Sequence, residues 1–269
     1  MRIYKQDLIA ALGEFVGTTL FLLLAFGGAK TAQVTRTTSQ LEGLSTSLGN
    51  QTILFIAVSF GLSLLVNAWV FYRVTGGLFN PAVTLALFAT GGLSVFRCVL
   101  LIVSQLCGGI AAAALVAALT PFGGAESLKT TLGTGVNVTQ GLFIEAFLTA
   151  ILCLTVLLLA AEKHKSTYLA PIGIGLALFS CHLFGVVWTG CGMNPARALG
   201  PSVVASSFPH YHWIYWLGPF IGSLMAVGFY LLLKVSRSVP LTAAGASLWH
   251  NHVFRRCKHW RGPSNSSGT

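Results

Sequence analysis

The stretch GCGMNPARALG, residues 190–200, decides the fold of this chain, and the stretch GGLFNPAVT, residues 76–84, is its twin. In each stretch, glycines that favour a loop are followed by Asn-Pro-Ala and then by a short apolar run. Asn is a favoured cap of a helix N-terminus, and Pro suits the first helical position because its missing N–H would have no partner there. The pair therefore predicts two short helices that begin at Asn80 and Asn194 and present the positive ends of their dipoles.

Both predicted helices are too short to cross a bilayer, which requires about 20 apolar residues. The first is expected from Asn80 to about Ala89 and the second from Asn194 to about Ala205. Two half-helices in one membrane protein indicate a pore at the place where they meet.

The composition places most of the chain in a membrane. Of its 269 residues, 54% are hydrophobic and 8% are charged, and the mean hydropathy is +0.77. Soluble domains carry about 25% charged residues. The net charge of +10 does not indicate nucleic acid, because the charges cluster in tails and short loops, as cytoplasmic anchors do. We therefore expect membrane lipid around the chain and no nucleic-acid partner.

Six apolar runs are long enough to span a bilayer, which predicts an all-α membrane protein with six transmembrane helices and two half-helices. The runs are residues 8–29, 51–72, 97–119, 141–161, 168–188 and 212–233, and residues 30–50 are expected to form a polar loop. The predicted divisions are a short N-terminus (1–7), a first repeat (8–119), a connector (120–139), a second repeat (140–234) and a tail (235–269). The tail lacks apolar periodicity and is expected to be disordered.

The two halves are predicted to be inverted copies of each other. EFVGT at residues 14–18 matches EAFLT at residues 145–149, and each half continues with a span, a half-helix and a further span. An odd number of crossings per repeat inverts the second copy. With both termini in the cytoplasm, twelve of the sixteen Lys and Arg residues lie inside, as the positive-inside rule requires. Lys30, Arg36 and Lys129 then lie outside with the connector, and a plasma membrane is the expected location.

Polar residues within the spans are candidates for function. Glu14, Glu145 and Gln105 are expected to satisfy backbone N–H groups of the irregular loops, which must find partners at membrane depth. A proton relay is the alternative, but no chain of Asp, Glu or His accompanies either carboxylate. Arg197 costs roughly 2.5–3.5 kcal/mol on insertion scales. Its segment contains no Asp or Glu, which favours a water-lined constriction over an ion pair.

The two asparagines are predicted to line the pore. If each side-chain oxygen accepts the cap hydrogen bond, the amide NH₂ remains free to donate into the pore. Two such donors would hold a passing water molecule by its oxygen, so that this water could not accept a proton from its neighbour in a single row of water molecules.

The paired boxes, the second followed by Arg197, resemble the aquaporin (major intrinsic protein) family from Glu14 to about Lys234. The resemblance implies a passive channel with no enzymatic activity and a homotetramer with one pore per subunit. No cofactor is expected, and the scattered cysteines without CxxC spacing do not support a metal site. The pore boxes implied by the resemblance are Asn80, Pro81, Ala82, Asn194, Pro195 and Ala196. The narrowest ring, carried over by spacing, is Phe60, His182, Cys191 and Arg197, with His182 and Arg197 offering donors and Phe60 narrowing the opposite wall.

The ring composition favours water as the permeant. In glycerol-conducting relatives the His position is typically apolar and an Asp follows the Arg, whereas this chain has His182 and Ala198. Tyr215-Trp216 also resembles the aromatic pair of water channels. A channel for glycerol, hydrogen peroxide or another small neutral solute is the alternative. A hydrolase using Cys191 and His182 would lack an orienting acid, and an adhesion protein would need neither Arg197 nor His182 in the membrane.

Overall fold

The computed structural model describes residues 2–41, 49–121, 123–162 and 165–238. Within these ranges the chain is helical and contains no strand. Its α-helices are α1 (Arg2–Leu41), α2 (Asn50–Phe71), α3 (Pro81–Ala89), α4 (Val95–Leu119), α5 (Val138–Val156), α6 (Ala170–Thr189), α7 (Pro195–Val204) and α8 (Ile214–Ser238). Single 3₁₀ turns lie at Glu126–Leu128 and Thr167–Leu169, and α5 continues as a π-helical turn over Leu157–Ala161.

Six of these helices are long and apolar enough to cross a membrane: α1, α2, α4, α5, α6 and α8. The outward faces of the spans carry large exposed apolar side chains, such as Leu12 (64% exposed) and Leu119 (71% exposed). Such surfaces suit lipid rather than water. The order of long, long, short and long helix occurs twice, which confirms the expected fold class of six spans and two half-helices.

The first helix is longer than the sequence led us to expect. Residues 30–41 were predicted to be loop, and this is wrong, because α1 continues without a break to Leu41. No Gly or Pro interrupts this segment. The hydroxyls of Thr31 and Thr35 donate to the carbonyls of Gly27 and Thr31, each at 3.0 Å, so these side chains are satisfied within the helix.

The C-terminal end differs in a similar way. Residues 235–238 were assigned to a disordered tail but complete α8. The rest of that predicted tail, residues 239–269, lies outside the described residues. The chain divides into the compact units Met1–Gly228 and Phe229–Thr269. The described part of the second unit is the end of α8, where Lys234 Nζ donates to Tyr230 Oη at 3.2 Å.

Glycines allow the helices of the first unit to approach closely. A Cβ atom on Gly61 of α2 would lie 2.9 Å from the carbonyl oxygen of Gly175 in α6, and a Cβ on Gly175 would lie 2.7 Å from that of Gly61. Likewise, a Cβ on Gly109 of α4 would collide with the carbonyl of Ala196 in α7. Small residues permit such backbone contacts between membrane helices. They bring the two halves together at α2 and α6 and fix the half-helix α7 against α4.

Candidate pore

The half-helices α3 and α7 begin as their cap chemistry predicts. The Oδ1 atom of Asn80 accepts from the backbone N–H of Ala82 at 2.8 Å, and that of Asn194 accepts from Ala196 at 2.9 Å. Each Asn has an extended backbone and is followed by Pro at the first helical position. The first turn of each helix is therefore closed by its own asparagine.

The residue before each asparagine turns its carbonyl towards the other half of the molecule. Phe79 has φ of 51° and Met193 has φ of 52°, values that are uncommon for residues other than glycine. The carbonyl of Phe79 accepts from Asn194 Nδ2 at 2.9 Å, and the carbonyl of Met193 accepts from Asn80 Nδ2 at 2.9 Å. The two asparagines are thus joined by a reciprocal pair of hydrogen bonds.

This pair modifies the expectation that both amide groups are free. An Asn amide has two hydrogens, and in each asparagine one of them is used for the bond across the junction. The second remains available, and Asn80 and Asn194 both line the adjacent cavity. Each asparagine therefore brings one side-chain donor to the pore rather than two.

Two buried carboxylates hold the loops that precede the asparagines. Glu14 accepts from the backbone N–H of Leu78 at 3.1 Å and of Phe79 at 2.8 Å. Glu145 accepts from Gly192 at 2.8 Å and from Met193 at 2.5 Å. Both carboxylates are fully buried, in α1 and α5. Their positions are what allow irregular backbone to exist at membrane depth.

Further polar side chains orient these two carboxylates. Gln105 Nε2 donates to Glu14 at 2.7 Å and to the hydroxyl of Thr84 in α3 at 2.8 Å. It therefore braces the carboxylate and the half-helix, whereas we expected it to contact the loop backbone. Thr189, which the sequence did not single out, donates to Glu145 at 2.6 Å, and Tyr215 Oη donates to the carbonyl of Thr189 at 2.8 Å. No local sequence signal marks Thr189, because its role depends on the contact with α5.

Three members of the expected ring come together in the wall of one cavity. The rings of Phe60 and His182 are stacked with centroids 4.3 Å apart and an interplanar angle of 25°. The guanidinium carbon of Arg197 lies 5.2 Å from the centroid of Phe60 and 5.3 Å from that of Phe26. These distances suit cation–π contacts. Phe26 therefore contacts this group from the first span, and nothing in its local sequence distinguished it from other apolar residues of that span.

The hydrogen bonding of His182 differs from what we expected. Its Nδ1 atom lies 2.9 Å from the carbonyl oxygen of Leu178, and since a carbonyl can only accept, Nδ1 carries the proton. The Nε2 atom of the neutral ring is then an acceptor. It is buried and has no hydrogen-bond partner among the described residues. In the neutral ring His182 therefore has an acceptor at Nε2, where the sequence led us to expect a donor, whereas a doubly protonated ring would donate from this atom.

Arg197 is held by backbone carbonyls. Its Nη1 atom donates to Leu128 O of the connector at 2.8 Å, and its Nη2 atom donates to Gly190 O at 3.5 Å. Neither ion pair found in the described parts of the chain involves it. The side chain is 7% exposed and lines the cavity, so its positive charge acts on whatever occupies the pore.

Cys191 occupies a different position from the other three ring residues. Its Sγ atom lies 3.5 Å from Cys181 O and 3.3 Å from Met193 Sδ, and the residue is fully buried. It is not among the residues that line the cavity in the described part of the chain, although its neighbour Gly192 is. The structure therefore brings Phe60, His182 and Arg197 to the cavity wall, whereas the thiol of Cys191 contacts Cys181 O and Met193 Sδ.

The cavity has a volume of about 280 Å³, and its lining includes Ala160 and Ala161 beyond the end of α5 as well as residues of both half-helices. His182 and Arg197 line it, Asn80 and Asn194 line it as well, and so does Tyr72, which follows α2. Most of the remaining wall is apolar. A path with few polar groups and an apolar wall lets a small molecule exchange hydrogen bonds only at defined points.

Comparisons with known proteins agree with this architecture. The family model described as Major intrinsic protein matches residues 4–230. Aquaporin-8 of Botryotinia fuckeliana (strain B05.10) is 52% identical over 86% of this chain and 70% of its own length. Aquaporin-1 of Gibberella zeae is 51% identical over 86% of this chain and 71% of its own length. The fold is that of a multi-pass integral membrane protein. The chain belongs to the major intrinsic protein family, the aquaporins, which confirms the resemblance seen in the sequence.

Two further comparisons concern length and fold. The chain spans about half the length of some curated relatives, including 50% of aquaporin-7 and 43% of aquaporin-5 of B. fuckeliana (strain B05.10). The X-ray structure of the aquaglyceroporin from Plasmodium falciparum superposes with a TM-score of 0.70 and covers 85% of this chain and 99% of its own. At 21% sequence identity, that likeness concerns the fold alone.

Proposed function

We propose that this chain is a passive, water-selective channel of a plasma membrane, with both termini in the cytoplasm and the connector outside. We also propose that it is a homotetramer with one pore per subunit, as its family membership implies. The observation that carries water selectivity is the convergence of Phe60, His182 and Arg197. The rings of Phe60 and His182 are stacked with centroids 4.3 Å apart, and the guanidinium carbon of Arg197 lies 5.2 Å from the centroid of Phe60, so three bulky side chains crowd one part of the cavity, which favours a small solute.

The polarity of the ring supports the same choice. Arg197 carries N–H donors, and a neutral His182 carries an acceptor at Nε2, within the same group of side chains. Water can donate and accept through a single oxygen, so it can replace bulk hydrogen bonds at both residues. A polyol would also have to place its carbon chain against the wall, and the imidazole makes that wall polar. Ala198 is fully buried and packs with Ile214 and Tyr215, which leaves no place for a carboxylate beside Arg197.

The asparagine junction supports exclusion of protons. One amide hydrogen from Asn80 and one from Asn194 are available to a water molecule in the cavity, and the positive ends of α3 and α7 face the same point. A water held there by its oxygen has both hydrogens directed outwards and cannot accept a proton. Proton hopping is therefore interrupted, and cations are repelled by the helix ends and by Arg197.

A channel for glycerol, hydrogen peroxide or another small neutral solute remains the second candidate. The apolar side chains of Leu64, Val83 and Ile174 in the cavity wall favour it, because a carbon chain could lie against them. The two proposals differ at the ring, because a solute must pass the group formed by Phe60, His182 and Arg197.

The test is a paired permeability measurement on purified protein in liposomes. Under an osmotic step, protein-containing vesicles should shrink faster than empty ones, and their glycerol uptake should match that of empty vesicles. Equal enhancement of water and glycerol would refute water selectivity. The double variant His182→Ala/Arg197→Ala should admit glycerol, while the lipid-facing variant Leu119→Ala should behave as wild type. A double variant that still rejects glycerol would remove the ring from the proposal.

A further inference from the structure

Lys30 is a buried cation near the end of the first span, 3% exposed. Its Nζ atom donates to Ser127 Oγ at 2.7 Å and to Gly124 O at 3.3 Å, both in the connector. It takes part in neither ion pair of the described residues. Removing a charge from water is costly unless the contacts it makes are needed. An unbranched apolar side chain would fill the same space without that cost, so the contacts of Lys30 call for a function.

The contacts converge on the 3₁₀ turn Glu126–Leu128. Besides Lys30, α1 provides Gln33, whose Nε2 atom donates to Ser127 O at 2.8 Å. The next carbonyl along the chain, Leu128 O, accepts from Arg197 Nη1 at 2.8 Å. Successive carbonyls of one turn are therefore held on opposite sides, one by the first span and one by the pore arginine.

We propose that Lys30 is a positioning residue for solute selection: it fixes this connector turn on α1 so that Leu128 O keeps Arg197 aimed into the pore. The inference rests on the proposed role of Arg197 in the ring. The turn is preceded by Gly123 and Gly124, with φ of 69° and 45°, so its own backbone offers little rigidity. A Cβ at Gly123 would lie 3.0 Å from Lys30 Nζ, which indicates how closely the ammonium is enclosed.

The charge explains why lysine rather than a neutral donor is found here. Hydrogen bonds from a charged donor are about twice as strong as neutral ones. Losing such a bond changes an equilibrium by about one factor of ten. Without the bonds of Lys30, the turn keeps the bond from Gln33 but is held less firmly on α1, and Leu128 O is displaced for a larger fraction of the time. Arg197 would then lose its shortest hydrogen bond, and its guanidinium could leave the constriction.

The experiment compares Lys30→Met with Lys30→Arg in liposomes. The readout is the permeability of each inserted channel to water, urea, glycerol and a larger polyol. Lys30→Met should leave water permeability within about twofold and raise that of the first excluded solute by about tenfold, the effect of one charged hydrogen bond. Lys30→Arg keeps the charge and the donors, so it should keep the wild-type cut-off, which is the size of the largest solute that the channel admits. Ser127→Ala removes the shorter of the two bonds of Lys30 and the bond from Ser127 Oγ to Gly124 O at 3.2 Å, but it keeps the bond from Lys30 to Gly124 O. It should therefore produce a smaller shift in the same direction.

The readout is a shift of the cut-off relative to wild type, so it does not depend on which solute the wild type rejects. If the wild type conducts glycerol, water selectivity fails, but the shift is then read on the larger polyol. An unchanged cut-off in Lys30→Met, with only a lower melting temperature, would assign Lys30 a merely structural role and overturn the inference. If Lys30→Met does not insert into liposomes, the result for Ser127→Ala is used instead. A wild-type cut-off in Ser127→Ala would likewise overturn the inference.

Discussion

Glu145 holds the loop before Asn194, and its replacement by alanine should disable the second half of the pore. In Glu145→Ala the backbone N–H groups of Gly192 and Met193 lose their acceptor in a fully buried site. The hydroxyl of Thr189 also loses this carboxylate, but it keeps a second acceptor, the carbonyl of Gly185 at 3.4 Å, and so it does not become an unsatisfied donor. The main loss of stability therefore comes from the two buried N–H groups that have no acceptor.

The size of the effect follows from these two groups. Each buried donor without a partner costs about 1–3 kcal/mol, so Glu145→Ala should lower the free energy of unfolding by about 2–6 kcal/mol. The loop also holds Cys191 and Met193 at φ of 52°, a conformation that persists only while its surroundings enforce it. At about 2–4 °C per kcal/mol for a domain of this size, the melting temperature should fall by at least about 4 °C.

Thermal unfolding in detergent and water flux in liposomes measure the two consequences. Water permeability per inserted Glu145→Ala channel should fall towards that of empty vesicles, because Met193 O would no longer meet Asn80. Glu145→Gln keeps the shape of the side chain but retains only one oxygen acceptor. Its melting temperature and water permeability should therefore lie between those of wild type and Glu145→Ala. The control Glu126→Gln changes an exposed carboxylate and should shift stability by less than about 1 kcal/mol. Wild-type melting and flux in Glu145→Ala would refute the role of the carboxylate as the support of this loop.

Three further perturbations test other parts of the structure. A mercurial should slow water flow with a slow onset, since the thiol of Cys191 is fully buried, and Cys191→Ser should abolish the block while Cys107→Ser, at an exposed thiol, should not. Gly200→Ala places a Cβ well inside 3.0 Å of a backbone carbonyl of α4 and should reduce folded yield and flux, whereas Gly27→Ala meets nothing within 4 Å and should have neither effect. Burial lowers the pKa of His212, which lies before the last span, so the neutral form is favoured in the folded protein. Stability should therefore fall as the pH drops below about 6.5, where the unfolded state takes up the proton more readily, and His212→Gln should show a smaller loss of melting temperature between pH 7.5 and pH 5.

The features that could be predicted from the sequence are those set by local chemistry. Asn-Pro-Ala specifies a capped helix start within three residues, so the beginnings of α3 and α7 were readable at Asn80 and Asn194. The spans were readable because lipid demands continuous apolar runs. The end of α1 was misjudged because polarity was taken as a loop signal, although Lys30 and the threonines that follow it are compatible with a helix that no Gly or Pro interrupts.

The features that could not be predicted depend on contacts between distant segments. The bonds from Asn80 Nδ2 to Met193 O and from Asn194 Nδ2 to Phe79 O need the register of one half against the other. The hydrogen bond of His182 Nδ1 depends on the position of a carbonyl one turn earlier, and the contact of the Cys191 thiol with Cys181 O depends on the direction of that thiol. Residue spacing carries none of this information, because it fixes neither rotamers nor helix packing.

The most direct test measures water, glycerol and proton flux in one preparation of liposomes that contain the purified protein and a pH-sensitive dye. We expect water flux well above that of empty vesicles, with glycerol and proton flux indistinguishable from theirs. Proton flux that rises in step with water flux would contradict the proposal that Asn80 and Asn194 hold each passing water by its oxygen and interrupt the file.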